Sequence, residues 1–378
     1  MHQQNRPKRS PRDGRLAELD LLRFIAALAV LAFHYLVAYA SVWGDRPAEL
    51  FPAVAPIAGL GILGVELFFM ISGFVILMTI WGRGLGSFAR SRFIRLYPAY
   101  WLSLIAVAAV YGLTDAKALD PKLSAGDYLV NATMFQRLVK VGDASGVYWS
   151  LWAELRFYLL ASILVVVGVT YGRVLVFCGV WLAGALGAEL LGNPVLSEIL
   201  MPRYAPYFIA GMALYLIHKH GGAWLPWIYV LGSYGMSLHA ALERVRGRIE
   251  LAGFKNMPVT DTSVVITVTL IYLVMALVAL GLVRMRARPV FTALGATTYP
   301  LYLFHSVIAV VLIPPLTSGL PPWFTALFTT AIALFASYAI YVLAERPIQR
   351  MLRPRRARQD AATPPVQGDA QGERTTVP

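Results

Sequence analysis

The residues able to do chemistry in this sequence sit inside its apolar runs, where charge is least expected. The first run, LDLLRFIAALAVLAFHY (19–35), carries Asp20, Arg23 and His34, and the second carries Glu66 in GVELFFMISGF. A later run, YWSLWAELRFYLL, brings Trp149, Glu154 and Arg156, and TTYPLYLFH ends on His305. A carboxylate beside an imidazole in a dry site fixes the ring tautomer and raises its basicity, as a general base requires. A second constellation, RSRFIRLYPAYW (90–101), clusters Arg90, Arg92 and Arg95 ahead of an apolar run, with Pro98 where a helix start tolerates it. Guanidinium groups at a helix entrance suit a phosphate, by charge and by paired donors.

The elements that must position these residues are membrane helices. The chain has 378 residues, 58% hydrophobic and 14% charged, with repeated apolar runs near the length that spans a bilayer as helix. Windows such as SVVITVTLIYLVMALVALGLV (263–283) are apolar all round, which excludes an ordinary soluble domain. Spans are expected near 19–42, 57–80, 97–114, 149–169, 174–192, 203–217, 224–241, 263–283, 297–313 and 323–344, an all-α polytopic bundle of about ten transmembrane helices. The sixth and ninth are short and contain Pro206 and Pro300. A cleavable signal peptide fits poorly, because the first run is long and holds a histidine. The single Cys178 allows no intrachain disulfide.

The net charge of +13 is spread between apolar runs and at the ends, which reads as topology rather than as a nucleic-acid surface. With the N-terminus inside, inner segments hold 21 Lys and Arg residues and outer segments 10, so both termini are expected in the cytoplasm. The segment 242–262 fits poorly, since it places Arg244, Arg246, Arg248 and Lys255 outside. Residues 1–14 and 351–378 read as disordered basic and Pro/Gly/Gln-rich tails around a membrane domain at 15–350.

An ionisable group inside a spanning helix costs from about 2.5 kcal/mol upward and normally faces the bundle interior. At 100° per residue Asp20, Arg23, Ala27 and His34 fall within about 60° of one another, and Arg23 to His34 rises about 16 Å. Glu154 and His34 count to comparable depths below the outer boundary, which suggests them as the carboxylate and imidazole pair. Each residue also has an ordinary explanation: Arg23 as a snorkelling side chain, a membrane histidine as a packing hydrogen-bonder, Arg90 to Arg95 as an inner-face anchor, Glu345 with Arg346 as an interfacial ion pair.

Taken together the motifs resemble the integral-membrane acyltransferase 3 family, which O-acylates surface glycans, nodulation factors and macrolides. The resemblance runs in order through RLAELDLLRFIAALAVLAFH, GVELFFMISGFVI, RFIRLYPAYW, YWSLWAELRFYLL, YPLYLFH and AERPI, over residues 15–350. It implies a ten-helix bundle that takes an acyl group, usually acetyl, from cytoplasmic acyl-CoA to a hydroxyl. It also implies His34 as the catalytic histidine, Arg23, Arg92 and Arg95 as essential inner-face arginines, and Trp149 and Glu154 as family positions. Glu66 stands where the family usually has Asp, and Arg156 where it usually has an uncharged residue.

The two readings join in one scheme. His34, with Glu154, deprotonates the acceptor or carries the acyl group as an acyl-imidazole. Arg23, Arg92 and Arg95 hold the phosphates of acetyl-CoA, a co-substrate rather than a bound cofactor, and its arm spans the rise to His34. Asp20, Glu66, Trp149, Arg156 and His305 support or contact substrate, and no Cys or His spacing suggests a metal. The expected setting is the cell inner membrane, with a glycan or glycolipid acceptor, a possible separate envelope partner protein and no nucleic acid. A macrolide-like acceptor is the alternative substrate, and a transporter or flippase of a lipid-linked saccharide the alternative function.

Overall fold

The computed structural model describes residues 16–113, 123–221, 224–251 and 259–352. The expected N-terminal tail, and the C-terminal tail beyond Leu352, lie outside the described residues, as does Lys255. Ten long helices carry the fold: α1 (Ala17–Phe33), α2 (Gly64–Ile80), α3 (Leu85–Leu113), α4 (Tyr148–Val167), α5 (Tyr171–Leu190), α6 (Ala205–His220), α7 (Leu225–Leu251), α8 (Asp261–Ala279), α9 (Pro289–Thr317) and α10 (Pro322–Ile340). No strand occurs among the described residues. Eight of these helices, counting the turns that extend α1, α2 and α10, are long and apolar enough to cross a membrane. The chain is an all-α, multi-pass membrane protein. The two others occupy the sixth and seventh expected spans: α6 has 16 residues, about 24 Å of rise against a hydrocarbon core of about 30 Å, and α7 is long but carries a polar second half.

The short helix is the hub. Every residue of α6 from Ala205 to Ile217 is buried, as its all-round apolar sequence demands. Gly73 and Gly211 allow α2 and α6 to touch backbone to backbone: a Cβ on Gly73 would stand 2.1 Å from the Phe208 carbonyl oxygen, and one on Gly211 2.0 Å from that of Met70. In lipid, where apolar surface gives no drive to associate, such small-residue crossings supply the packing. α1 lies against α2 and α9.

Three features depart from the sequence reading. α3 begins at Leu85, so Pro98 is in its interior and Arg92 and Arg95 stand on its flank rather than ahead of it. α7 runs on to Leu251, which explains the misfit of 242–262: Arg244 turns inward to Glu66, and Arg246 pairs with Asp261. Glu345 pairs not with Arg346 but with Arg95, at 3.0 Å, and accepts from Gln349 at 2.7 Å. A π-helical turn over Tyr341–Glu345 re-aims the last part of α10 and carries Glu345 into full burial.

Candidate functional site

The candidate site has two ends. At the first, Arg23 from α1, Arg92 and Arg95 from α3, Glu154 and Tyr158 from α4 and Tyr299 from α9 line an open cavity of about 770 Å³, mouth included. Arg23 lies 4.0 Å from Asp20, which is buried where α9 offers only Gly295; a Cβ there would stand 2.5 Å from the Asp20 carboxylate. Arg95 reaches Glu345 and lies over the Tyr299 ring at 5.3 Å, and Arg92 lies over Tyr158 at 5.7 Å. Glu154 accepts from Ser72 Oγ at 2.7 Å and from the Tyr158 hydroxyl at 2.5 Å. Three cations thus line one cavity with two buried carboxylates, Asp20 and Glu345, and one cavity-facing carboxylate, Glu154.

The cavity continues past Ser72, Phe69 and Phe68 to Ser150 and Tyr302. Tyr302 links the two ends: its hydroxyl is 2.6 Å from Ser150 Oγ, and its ring stands 6.0 Å from that of His305. Beyond it, His305 Nε2 lies 3.1 Å from His34 Nδ1. Each ring also has a carbonyl one helical turn back: His34 Nδ1 is 2.9 Å from Val30 O, and His305 Nδ1 is 3.1 Å from Leu301 O. The contacts are jointly satisfied when both rings are protonated at Nδ1. His305 then presents the lone pair of Nε2 to the His34 proton, and His34 keeps Nε2 unprotonated.

Local structure sets this geometry. α1 passes at His34 into a π-helical turn, His34–Ala38, closed by Tyr39 N to His34 O at 3.0 Å. The extra residue turns two tyrosines onto α9: Tyr35 donates to His305 O at 2.9 Å, and Tyr39 lies 2.5 Å from Ser306 Oγ. Trp43 Nε1 donates to Tyr35 O at 2.8 Å and holds the turn from the other side.

His34 and Glu154 are therefore not a pair. Counting residues down each helix put them at one depth, but Glu154 faces the arginine cavity and the imidazole beside His34 belongs to His305. Arg156 is likewise elsewhere: it meets Glu198, by a 3.0 Å side-chain contact and a bond to the Glu198 carbonyl, and lies over Trp152 at 5.2 Å.

Beside Glu66 and Trp149 is a residue that sequence reasoning did not assign to the site. Arg244 of α7 is ion-paired to Glu66, which is 1% exposed, and its guanidinium lies 4.6 Å over Trp149 and 6.0 Å from the Tyr204 ring. The available signal was the excess of basic residues in 242–262, which no outer loop should carry.

Comparison with known proteins gives the family. Residues 16–342 fit the acyltransferase 3 family model, described as an acyltransferase domain. The chain belongs to this family. It is a multi-pass membrane acyltransferase. Among curated relatives, it is 27% identical over 311 residues to the exopolysaccharide production protein ExoZ of Rhizobium meliloti (strain 1021), covering 79% of the chain and 92% of that protein. It is 30% identical over 154 residues to the acyltransferase MdmB of Streptomyces mycarofaciens, a match spanning 39% of each chain. No solved structure matches the acyltransferase significantly.

Proposed function

We propose that this acyltransferase moves an acetyl group from acetyl-CoA, bound from the cytoplasm, to a hydroxyl of an envelope glycan or glycolipid, in the inner membrane with both termini cytoplasmic. One observation carries the reading: the cavity with Arg23, Arg92 and Arg95 at one end reaches Tyr302 at the other, and the Tyr302 ring stands 6.0 Å from that of His305, the partner of His34. Coenzyme A is a polyanion with a long uncharged arm. Its phosphates suit the three guanidiniums, and its arm suits the run of Phe69, Phe68 and Tyr302 that follows. The rise from Arg23 to His34, about 16 Å by helix geometry, matches that arm extended.

At the far end the unprotonated Nε2 of His34 takes the proton of the acceptor hydroxyl as its oxygen attacks the thioester carbonyl. The carbon–sulfur bond breaks, and the imidazolium returns the proton to the departing thiolate. His305 acts through His34: its Nε2, with the Val30 carbonyl, accepts a hydrogen bond from His34 Nδ1–H and so holds the ring in the reactive tautomer. Glu154 and Glu345 act at the donor end, by holding Tyr158 and Arg95 in place. The excess of inner-segment Lys and Arg supports the cytoplasmic donor side. The match over most of the chain to an exopolysaccharide production protein favours a glycan as acceptor.

The test is transfer of radiolabel from acetyl-CoA to the glycan fraction of membranes expressing the protein, beside His34→Ala at matched abundance. Label that appears with the native chain and is lost with the variant supports the reading. Equal label with both sinks the role of His34.

A further inference from the structure

Resting on that reading, we propose that Glu66, Arg244, Trp149 and Tyr204 form the acceptor subsite, and that it takes a pyranose ring carrying a second hydroxyl beside the one acylated. Glu66 and Arg244 form a buried ion pair, and such a pair is weak evidence of stabilisation, because desolvating both charges offsets most of their attraction. Inside a membrane bundle it asks for another purpose. Its position supplies one. Arg244 lies over Trp149, and the next residue of α4, Ser150, meets the Tyr302 hydroxyl at 2.6 Å; the Tyr302 ring stands 6.0 Å from that of His305, the partner of the base His34.

The pair is also incomplete. Arg244 engages one carboxylate oxygen, while Glu66 Oε2 is buried and has no hydrogen-bond partner among the described residues. An unmatched buried acceptor costs about 1–3 kcal/mol, and a ligand hydroxyl donating to it removes that cost. The walls match a sugar as well. Trp149 and Tyr204 are half-buried, with ring centroids 5.3 Å apart and planes 32° from parallel. They present partly accessible aromatic surface beside a charged pair, which suits the apolar face of a pyranose with its hydroxyls on the rim. A ring resting there would give one hydroxyl to Glu66 Oε2 and turn its neighbour toward His34. The pair would then select for a vicinal diol, since a lone alcohol leaves Glu66 Oε2 unmatched.

The experiment compares two acceptors that share an alkyl tail. Protein purified in a non-sugar detergent is given labelled acetyl-CoA with either octyl glucoside or 1-octanol. The native chain should prefer the glucoside, and Glu66→Gln and Arg244→Lys should each reduce that preference at least tenfold. The swapped pair Glu66→Arg with Arg244→Glu, checked for folding by gel filtration, keeps the opposite charges but misplaces the acceptor oxygen. It should not restore the preference, and recovery to within threefold of native would make the pair purely structural and overturn the proposal. Native transfer to octanol but not to the glucoside would sink the sugar subsite and leave acyl transfer standing. No transfer to either acceptor would overturn both readings.

Discussion

The arginine end and the histidine end of the site are built on opposite electrostatic plans. At the arginine end, Arg23, Arg92 and Arg95 share a cavity wall, and their carboxylates, Asp20 and Glu345, are buried behind them rather than in the open space. That leaves positive charge facing the cavity, as a polyanionic donor needs. At the histidine end the rings are held by neutral partners, Val30 O, Leu301 O and each other, and the charged pair Glu66 and Arg244 stands to one side. The His34 ring is oriented here without a carboxylate partner, by the Val30 carbonyl and the His305 ring. One end is a charged clamp and the other a nearly neutral relay.

The sharpest way to break the comparison is His34→Ala, which should lower transfer by about 10²–10⁴ with little change in acetyl-CoA affinity, the range for losing a general base. A labelled-transfer assay with a separate donor-binding measurement checks it, and a large loss of donor affinity would merge the two ends. Arg92→Ala and Arg95→Ala should do the reverse. Each removes a charge-assisted contact of about 1.5–3 kcal/mol, so the KM for acetyl-CoA should rise about tenfold to a hundredfold. The rise should shrink with dephospho-CoA thioester if the guanidiniums read phosphate, and an unchanged KM would assign them to anchoring alone.

A smaller effect is expected from His305→Ala: a loss of about tenfold in kcat with the KM for acetyl-CoA unchanged, because His305 orients the base without touching substrate. His305→Gln, whose side-chain oxygen can accept from His34 Nδ1, should recover part of the loss. A purely structural histidine would show no such rescue. The smallest effect belongs to Arg156→Ala, which should leave transfer within about threefold. Its contacts with Glu198 and Trp152 are outside the cavity, and partly exposed ion pairs contribute little. A larger loss would draw Arg156 back into the site.

Much of this protein is legible from its one-dimensional pattern. Apolar run lengths mark the membrane helices because the bilayer imposes a length and forbids unpaired backbone, and both constraints act on each segment separately. Arg23, His34 and His305 stand out for a related reason, since a polar or charged group in an apolar run is costly wherever that run ends up, and Arg92 and Arg95 stand out as a cluster at a helix entrance. Partnership is another matter. Glu154 was matched to His34 by counting residues, but azimuth, tilt and the π-helical turn at His34 decide which side chains meet, and these follow from packing between helices. The Arg95–Glu345 bond joins residues 250 apart in sequence, and the Arg244–Glu66 bond residues 178 apart. The sequence by itself determined the solvent, the helices and the kinds of chemistry available. Only the tertiary structure decided that His305 accompanies His34, that Glu154 belongs with the arginines and that Arg244 enters the site, because interactions across a bundle depend on where distant helices press together.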